Sequence, residues 1–222
     1  QRQMCIRDRF NLSLNLSKTP RSVYDSNRIK DLNILQTTLK LAVLENPDIE
    51  LSSSTKIIYL SLKDNSPTCT SYISKLPPLP QGYEYRCSQN PENIDGTGWI
   101  PIDFTKLSSF NISNLPIDPI NQPPYYYAYV ADNNTKNYEI IANLESTNNK
   151  GPNTISDYDG GTSAYLYEVG SDKKIMPLFF ELAFTYKPGD VIWTLTYNPS
   201  RFKSRWKFFV YYRHQRRIWK PN

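Results

Sequence analysis

The chain of 222 residues is 39% apolar and 14% aromatic, which is enough for one hydrophobic core and predicts a single domain with appendages. Its 17 prolines and 17 tyrosines against 8 glycines favour a turn-rich protein with strands over a helical bundle. The net charge of +5 is concentrated at the C-terminal end, and the single histidine, His214, excludes most Ser-His-Asp and Cys-His schemes and any multi-histidine metal site.

The N-terminal 21 positions fall into two parts. Residues 1–9, QRQMCIRDR, resemble translated sequencing-adapter DNA, so we leave them out of the fold prediction. Positions 10–21 are predicted to be an irregular or strand-like lead, because apolar and polar residues alternate in FNLSLNLS. No apolar run in the sequence reaches the roughly 18 to 20 residues that span a bilayer.

One amphipathic helix is predicted from Ser22 to Glu45. Apolar residues recur there at spacings of three and four, Ser22 or Asp25 offers an N-cap, and Asn46-Pro47 ends the helix. The expected buried stripe contains Ile29, Leu32, Leu35, Leu39 and either Ala42 or Val43. The charged residues expected on the other faces are Arg28, Lys30, Asp31 and Lys40.

Short apolar and aromatic runs, separated by turn signals, follow the helix. They predict strands at Lys56–Leu62, Tyr83–Cys87, Trp99–Phe104, Tyr125–Ala131, Tyr138–Leu144 and Tyr165–Val169. The fourth and fifth runs are joined by a polar turn and form the best hairpin candidate. We therefore predict an α+β domain in which the helix packs on an antiparallel sheet with long turn-rich loops.

Two cysteines, Cys69 and Cys87, flank the turn-rich stretch CTSYISKLPPLPQGYEYRC. Their spacing does not fit a metal or redox motif, and a disulfide that closes this loop would stabilise the fold by about 3 kcal/mol. The alternative is a pair of buried free thiols. A persistent disulfide would indicate an oxidising, exported location.

A series of short motifs runs in fixed order along the chain: DSNRIKDLNILQTTLKLAVLEN, SPTC, LPPLPQGYEYRC, DGTGWIPIDF, LPIDPINQPPYYYAYV, YEIIANLES and DGGTSAYLYEVGSD. This series resembles type IV pilins and pseudopilins of candidate-phyla bacteria known from metagenomes. The resemblance covers about residues 22–172. It implies a pilin-like globular domain at 22–174. Such a pilin would end soon after YEVGSD, so the basic, aromatic C-terminal extension at 175–222 is a departure from the family.

The resemblance also implies a function, that of a non-enzymatic structural subunit of a pilus or pseudopilus-like surface filament, serving adhesion, motility, secretion or DNA uptake. Such subunits are anchored in the membrane by an apolar N-terminal helix half, trimmed by a prepilin peptidase, and packed with other subunits by the filament assembly machinery. That half has no counterpart here, so we expect an N-terminally truncated chain that is soluble and monomeric. Its full-length form would be membrane-anchored and then part of a cell-surface filament.

A calcium site is the candidate metal site. Asp157 and Asp159 alternate in SDYDGG, Glu168 follows, and hard oxygen ligands of this kind suit Ca²⁺. Related pseudopilins bind calcium in a C-terminal loop, although this spacing does not reproduce a complete ligand set. The alternatives are ordinary turn-forming acids or a carboxylate pair for glycoside hydrolysis. No other cofactor is expected.

The extension adds two predicted strands, Phe179–Tyr186 and Val191–Tyr197, and a basic-aromatic segment. Basic residues interleaved with aromatic rings suit single-stranded nucleic acid, because bases stack on rings while cations follow phosphates. The candidate contacts are Arg201, Lys203, Arg205, Trp206, Arg216 and Arg217. The alternatives are a solvated tail, an extra strand or helix with one aromatic face, and a frameshifted end.

The second function compatible with the sequence is a secreted carbohydrate-binding or adhesive β-module. Its many tyrosines and tryptophans would then be stacking platforms, with Trp99 the foremost candidate and a core tryptophan the alternative. A long N-terminal helix favours the filament subunit, since an isolated sugar-binding β-sandwich does not usually require such a helix.

Overall fold

A long helix and a five-stranded sheet form the body of the protein. The computed structural model describes residues 20–108 and 112–177 and the backbone of 193–195 and 208–210. In chain order the elements are α1 (Pro20–Glu45), β1 (Ile57–Lys63), β2 (Glu84–Ser88), a 3₁₀ turn (Phe104–Lys106), β3 (Tyr127–Asp132), β4 (Asn137–Asn143), α2 (Ile155–Tyr158), β5 (Leu166–Gly170), β6 (Trp193–Leu195) and β7 (Phe208–Val210). This is the α+β class predicted from the sequence.

The sheet is mixed, so the prediction of a purely antiparallel sheet was wrong. Its strand order is β2-β1-β3-β4-β5, and only the β1–β2 pair is parallel, with Ile57 opposite Glu84. A parallel pair needs a long crossover, and residues 64–83 supply it by returning the chain to the start of β1. The strands β3 and β4 form the predicted hairpin, with Asp132 opposite Asn137 at its turn.

Helix α1 begins at Pro20, two residues before the predicted start. Proline suits a first helical turn because its missing N–H has no intrahelical partner there, and Ser22 and Asp25 consequently lie inside the helix rather than at its cap. The predicted stripe is confirmed, with Leu32, Leu35, Leu39 and Ala42 buried and Ile29 and Val43 partly buried.

Two charged residues of α1 do not lie on the exposed faces where they were predicted. Arg28 is completely buried. Asp31 is half-buried and accepts a hydrogen bond from the Tyr127 hydroxyl at 2.8 Å. Burial raises the pKa of the Asp31 carboxyl, against the effects of the Tyr127 hydrogen bond and of Lys30.

The segment Trp99–Phe104, predicted to be a strand, is a loop that leads into the 3₁₀ turn. Its apolar residues Trp99, Ile100, Ile102 and Phe104 are all buried against the helix side of the sheet. A single bridge joins Asp95 to Asp103, and the indole of Trp99 donates to the Pro116 carbonyl at 3.0 Å. The alternation in the sequence therefore reflects burial of a loop over the core.

The sheet is buried on both faces. Tyr127, Tyr129 and Ala131 of β3 face α1, while Ala128 and Val130 face a second core beneath the crossover. That second core also contains Met176, so the predicted domain boundary after residue 174 cuts through it. The buried Glu139 carboxylate accepts the main-chain N–H groups of Ile175 and Met176 at 2.9 and 2.7 Å, which holds this segment on the sheet.

The predicted disulfide between Cys69 and Cys87 is confirmed, with Cα atoms 5.2 Å apart. Cys69 lies in the crossover and Cys87 in β2, so the bridge ties the crossover to the edge strand on which it packs. The main-chain N–H of Cys87 also donates to the Pro67 carbonyl at 3.0 Å. This arrangement fixes the crossover on the face opposite α1.

Beyond residue 177 the C-terminal extension is described only at β6 and β7, which pair antiparallel with Trp193 opposite Val210. Strand β6 lies within the predicted strand Val191–Tyr197. The predicted strand Phe179–Tyr186 and residues 10–19 of the predicted lead lie outside the described residues, while Pro20 and Arg21, the end of that lead, are helical. Across the described part of the chain, no helix has both the length and the apolarity to cross a bilayer.

Candidate functional site

A buried arginine is bonded to three carboxylates at the side of α1 that faces the core. The Arg28 guanidinium donates through Nε and Nη2 to the two Asp118 oxygens at 2.6 and 3.1 Å. Its Nη1 donates to Asp25 at 3.0 Å and to Glu145 at 2.8 Å, and its Cζ lies 4.9 Å from the ring centroid of Tyr125. We call these five residues the Arg28 cluster.

The carboxylates of the Arg28 cluster are also bound by amides. Asp25 accepts the main-chain N–H groups of Glu145 and Ser146 at 2.8 and 2.9 Å, and Asp118 accepts that of Ile120 at 2.8 Å. Buried ions are tolerated only when their remaining hydrogen-bonding capacity is met, and these contacts meet it. Burial alone would lower the pKa of Arg28, but the bonds and charges of Asp118 and Glu145 outweigh it and raise that pKa.

The Arg28 cluster joins three motifs that are distant in the sequence. Asp25 and Arg28 come from DSNR in α1, Asp118 from LPIDP before β3, and Glu145 from NLES after β4. Bidentate binding of a carboxylate fixes the orientation of the guanidinium plane. The cluster therefore fixes the axial position and the rotation of α1 against the sheet. Its charged groups bind one another, which is typical of a structural site.

Sequence reasoning missed this site because it assigned Arg28 to a solvated face. The available signal was the pair Asp25 and Arg28 at a spacing of three, in line with the buried stripe that continues at Leu32. The partners Asp118 and Glu145 lie 90 and 117 positions away, so no local pattern identifies them.

A second acidic site lies where the DGG turn covers β5. The Asp159 carboxylate accepts the main-chain N–H groups of Gly161 and Glu168, both at 2.7 Å. Glu168 is fully buried, and its carboxylate accepts the main-chain N–H of Ser163 at 2.9 Å. A Cβ atom on Gly161 would lie 2.0 Å from Glu168 Oε2, so the turn closes over the acid only with glycine there. We call Asp159 and Glu168 the acid pair.

The electrostatics of the acid pair differ from those of the Arg28 cluster. Burial raises the pKa of Asp159 to about 6, and the nearby Glu168 charge adds to the rise, against the two N–H donors and the Lys173 ammonium. Lys173 donates to the main-chain oxygen of Asp159. The acid pair thus contains a carboxyl whose pKa is raised well above its ordinary value.

The three predicted calcium ligands are only partly brought together. Asp159 and Glu168 are neighbours, but Asp157 is exposed and accepts the main-chain N–H of Asn153 at 2.9 Å. In residues 20–108 and 112–177, no group of three His, Cys, Asp or Glu side chains is placed to hold a metal ion. Calcium binding stays a prediction, for which the acid pair supplies at most two carboxylates.

A chiefly apolar groove of about 570 Å³ runs beside α1. Ile34 and Leu41 of the helix line one side, and Leu107 and Ile112 line the other, with Lys30 and Glu45 also contributing.

Trp99, the foremost candidate for a stacking platform, is 1% exposed. The alternative of a core tryptophan is therefore confirmed, and the stacking-platform hypothesis for this residue is wrong.

The candidate nucleic-acid contacts Arg201, Lys203, Arg205, Trp206, Arg216 and Arg217 lie outside the described residues. No known family model matches the sequence, and no curated protein or solved structure matches it.

Proposed function

We propose that this protein is a structural subunit of a type IV pilus or pseudopilus-like surface filament and that it acts by assembly rather than by catalysis. The observation that carries the proposal is the way α1 is held. One side of the helix is fixed to the sheet by the Leu32, Leu35 and Leu39 stripe and by the Arg28 cluster, and the other side is open.

The open side of α1 has the character of a contact surface. Val23 and Leu41 are each 42% exposed and Leu44 is 68% exposed, and the groove lies along the same helix. A filament subunit needs a helix with two different sides, because one side packs on its own sheet and the other contacts neighbouring subunits. Apolar side chains left in water are favourable to bury in such a contact.

The disulfide supports the proposed location at the cell surface. The Cys69–Cys87 bridge persists in an oxidising compartment and not in a reducing cytosol. Membrane anchoring before assembly, and contact with other subunits in the filament, are parts of the same proposal. They require an apolar helical segment of about 20 residues in front of α1, the length that matches the bilayer core.

Addition of such a segment tests the proposal. We expect the chain with about 20 apolar helical residues joined to Pro20 to fractionate with membranes, and the chain without them to remain a monomer by light scattering. A matched control carries the same segment with charged residues at its centre, which raises the cost of insertion. Stable oligomers of the chain without the segment at micromolar concentration, or an apolar version that stays out of the membrane fraction, would count against the proposal.

A further inference from the structure

A lysine amine lies against a buried carboxamide at the end of β4. Lys150 Nζ is in direct contact with Asn143 Oδ1. Asn143 is 2% exposed, and its Nδ2 donates to the Pro124 carbonyl at 3.2 Å. That second bond orients the carboxamide, because it holds the nitrogen towards Pro124 and the oxygen towards the lysine.

The loop that links the two residues is held in place by the Arg28 cluster. Asp25 accepts the main-chain N–H groups of Glu145 and Ser146 and the side-chain amide of Asn149 at 3.1 Å, and all three lie between Asn143 and Lys150. From the other side, the Ser156 hydroxyl donates to the Asn149 carbonyl at 2.8 Å. Two reacting groups held in this way meet at an effective concentration far above that of free solutes.

The surroundings of Lys150 favour its nucleophilic form. Burial lowers the pKa of the Lys150 amine, the charge of Arg28 acts in the same direction, and Asp25 opposes them. A larger fraction of the amine is therefore neutral at a given pH than in a solvated lysine, and only the neutral amine attacks a carbonyl carbon.

We propose that Lys150 and Asn143 join in the folded chain as an intramolecular isopeptide bond. The neutral Nζ attacks Cγ of Asn143 and forms the new C–N bond. The bond from Cγ to Nδ2 then breaks, and Nδ2 leaves as ammonia with one proton that comes from Nζ. The reaction consumes no oxidant or other reagent, and it ties the end of β4 to the loop before α2 with a covalent bond that unfolding does not break.

Peptide mapping of the purified, denatured chain tests the bond directly. Cleavage after Glu145 and Glu168 places Asn143 and Lys150 on separate peptides, unless the bond joins them. We expect one branched peptide whose mass is that of the two peptides less one ammonia, and no trypsin cleavage after Lys150. Loss of ammonia through cyclisation of Gln1 or at Asn143 alone does not join these peptides, so it is distinguished from the proposed bond.

Two conservative variants complete the test. Lys150→Arg keeps the positive charge but removes the nucleophile, so its two peptides should separate at full mass. Lys136→Arg, a change at the lysine that donates to the Ile49 carbonyl, should leave the branched peptide intact. Recovery of separate, full-mass peptides with complete trypsin cleavage after Lys150 in the wild-type chain would overturn the proposal, without reference to any variant.

Discussion

The Arg28 cluster and the acid pair both bury carboxylates, but they stabilise them in different ways. In the first, a buried guanidinium bonds Asp25, Asp118 and Glu145. In the second, Asp159 and Glu168 are held by N–H donors, and Lys173 binds the main-chain oxygen of Asp159. In the Arg28 cluster a buried cation joins the carboxylates to one another, whereas at the acid pair burial outweighs the N–H donors and the Lys173 ammonium and raises the pKa of Asp159.

The largest expected effect comes from removing the cation. Arg28→Met leaves three carboxylates without their common partner, and breaking a buried ion pair from one side costs about 3 to 5 kcal/mol. Urea unfolding measures the loss. Lys30→Met is the matched control on the same helix. Because Lys30 is exposed, this substitution should change the free energy of unfolding by less than about 0.5 kcal/mol. Equal shifts for the two variants would show that the cluster does not lock the helix.

The apolar stripe of α1 should be the next most sensitive feature. Leu35 is fully buried, so Leu35→Ala should destabilise the fold by about 2 to 5 kcal/mol through lost burial and the cavity left behind. Leu44 is 68% exposed, and Leu44→Ala should change the stability by less than about 0.5 kcal/mol. A Leu44→Ala loss as large as that of Leu35→Ala would mean that the two faces of the helix are reversed.

The disulfide supplies a third contribution. Reduction of Cys69–Cys87 should lower the free energy of unfolding by about 3 kcal/mol, because the bridge restricts the unfolded chain. Unfolding with and without a reductant gives this difference, and the Cys69→Ser, Cys87→Ser double variant should not respond to the reductant. An identical denaturation midpoint for the oxidised and reduced wild type would contradict the assignment.

The acid pair should give the smallest effect, and one that depends on pH. The pKa of Asp159 is raised to about 6 in the folded state. Between the ordinary pKa of an aspartate and about 6, the folded chain therefore keeps a proton that the unfolded chain has released. Stability should therefore fall as pH rises through that window, by up to about 1 kcal/mol per pH unit, and recover as pH falls.

Asp159→Asn is the variant that tests this dependence. It should make the fall in stability between pH 4 and 6 smaller, because the amide does not titrate, and leave the part due to Asp31, whose pKa is also raised. Asp157→Asn at the exposed neighbour should leave the fall unchanged. Melting temperatures measured across the window decide the point. If the stability of Asp159→Asn changed with pH in the same way as that of the wild type, the pKa of Asp159 would not be raised in the folded chain.

The sequence predicted what depends on local periodicity. The α1 stripe and the β3–β4 hairpin follow from residues near each other in the chain, and both were found. Cys69 and Cys87 also paired as expected, since the prolines between them turn the chain back.

What the sequence could not predict depends on distant partners. The burial of Arg28 requires Asp118 and Glu145, which no local pattern links to α1. The parallel β1–β2 pairing follows from the path of the crossover, and strand propensity does not predict that path. The Trp99–Phe104 loop alternates like a strand because one side packs on the core, although it pairs with no neighbouring strand in the described residues.

Immunolabelling of filaments shows whether the protein assembles into them. The chain carrying an apolar helical segment before Pro20 is expressed in a bacterium that assembles type IV pili, and filaments sheared from its surface are labelled with an antibody against the globular domain. We expect label along the filaments, and loss of that label when charged residues replace the exposed Leu41 and Leu44 in a variant that still folds. Unlabelled filaments from cells that hold the folded, membrane-anchored chain would contradict it.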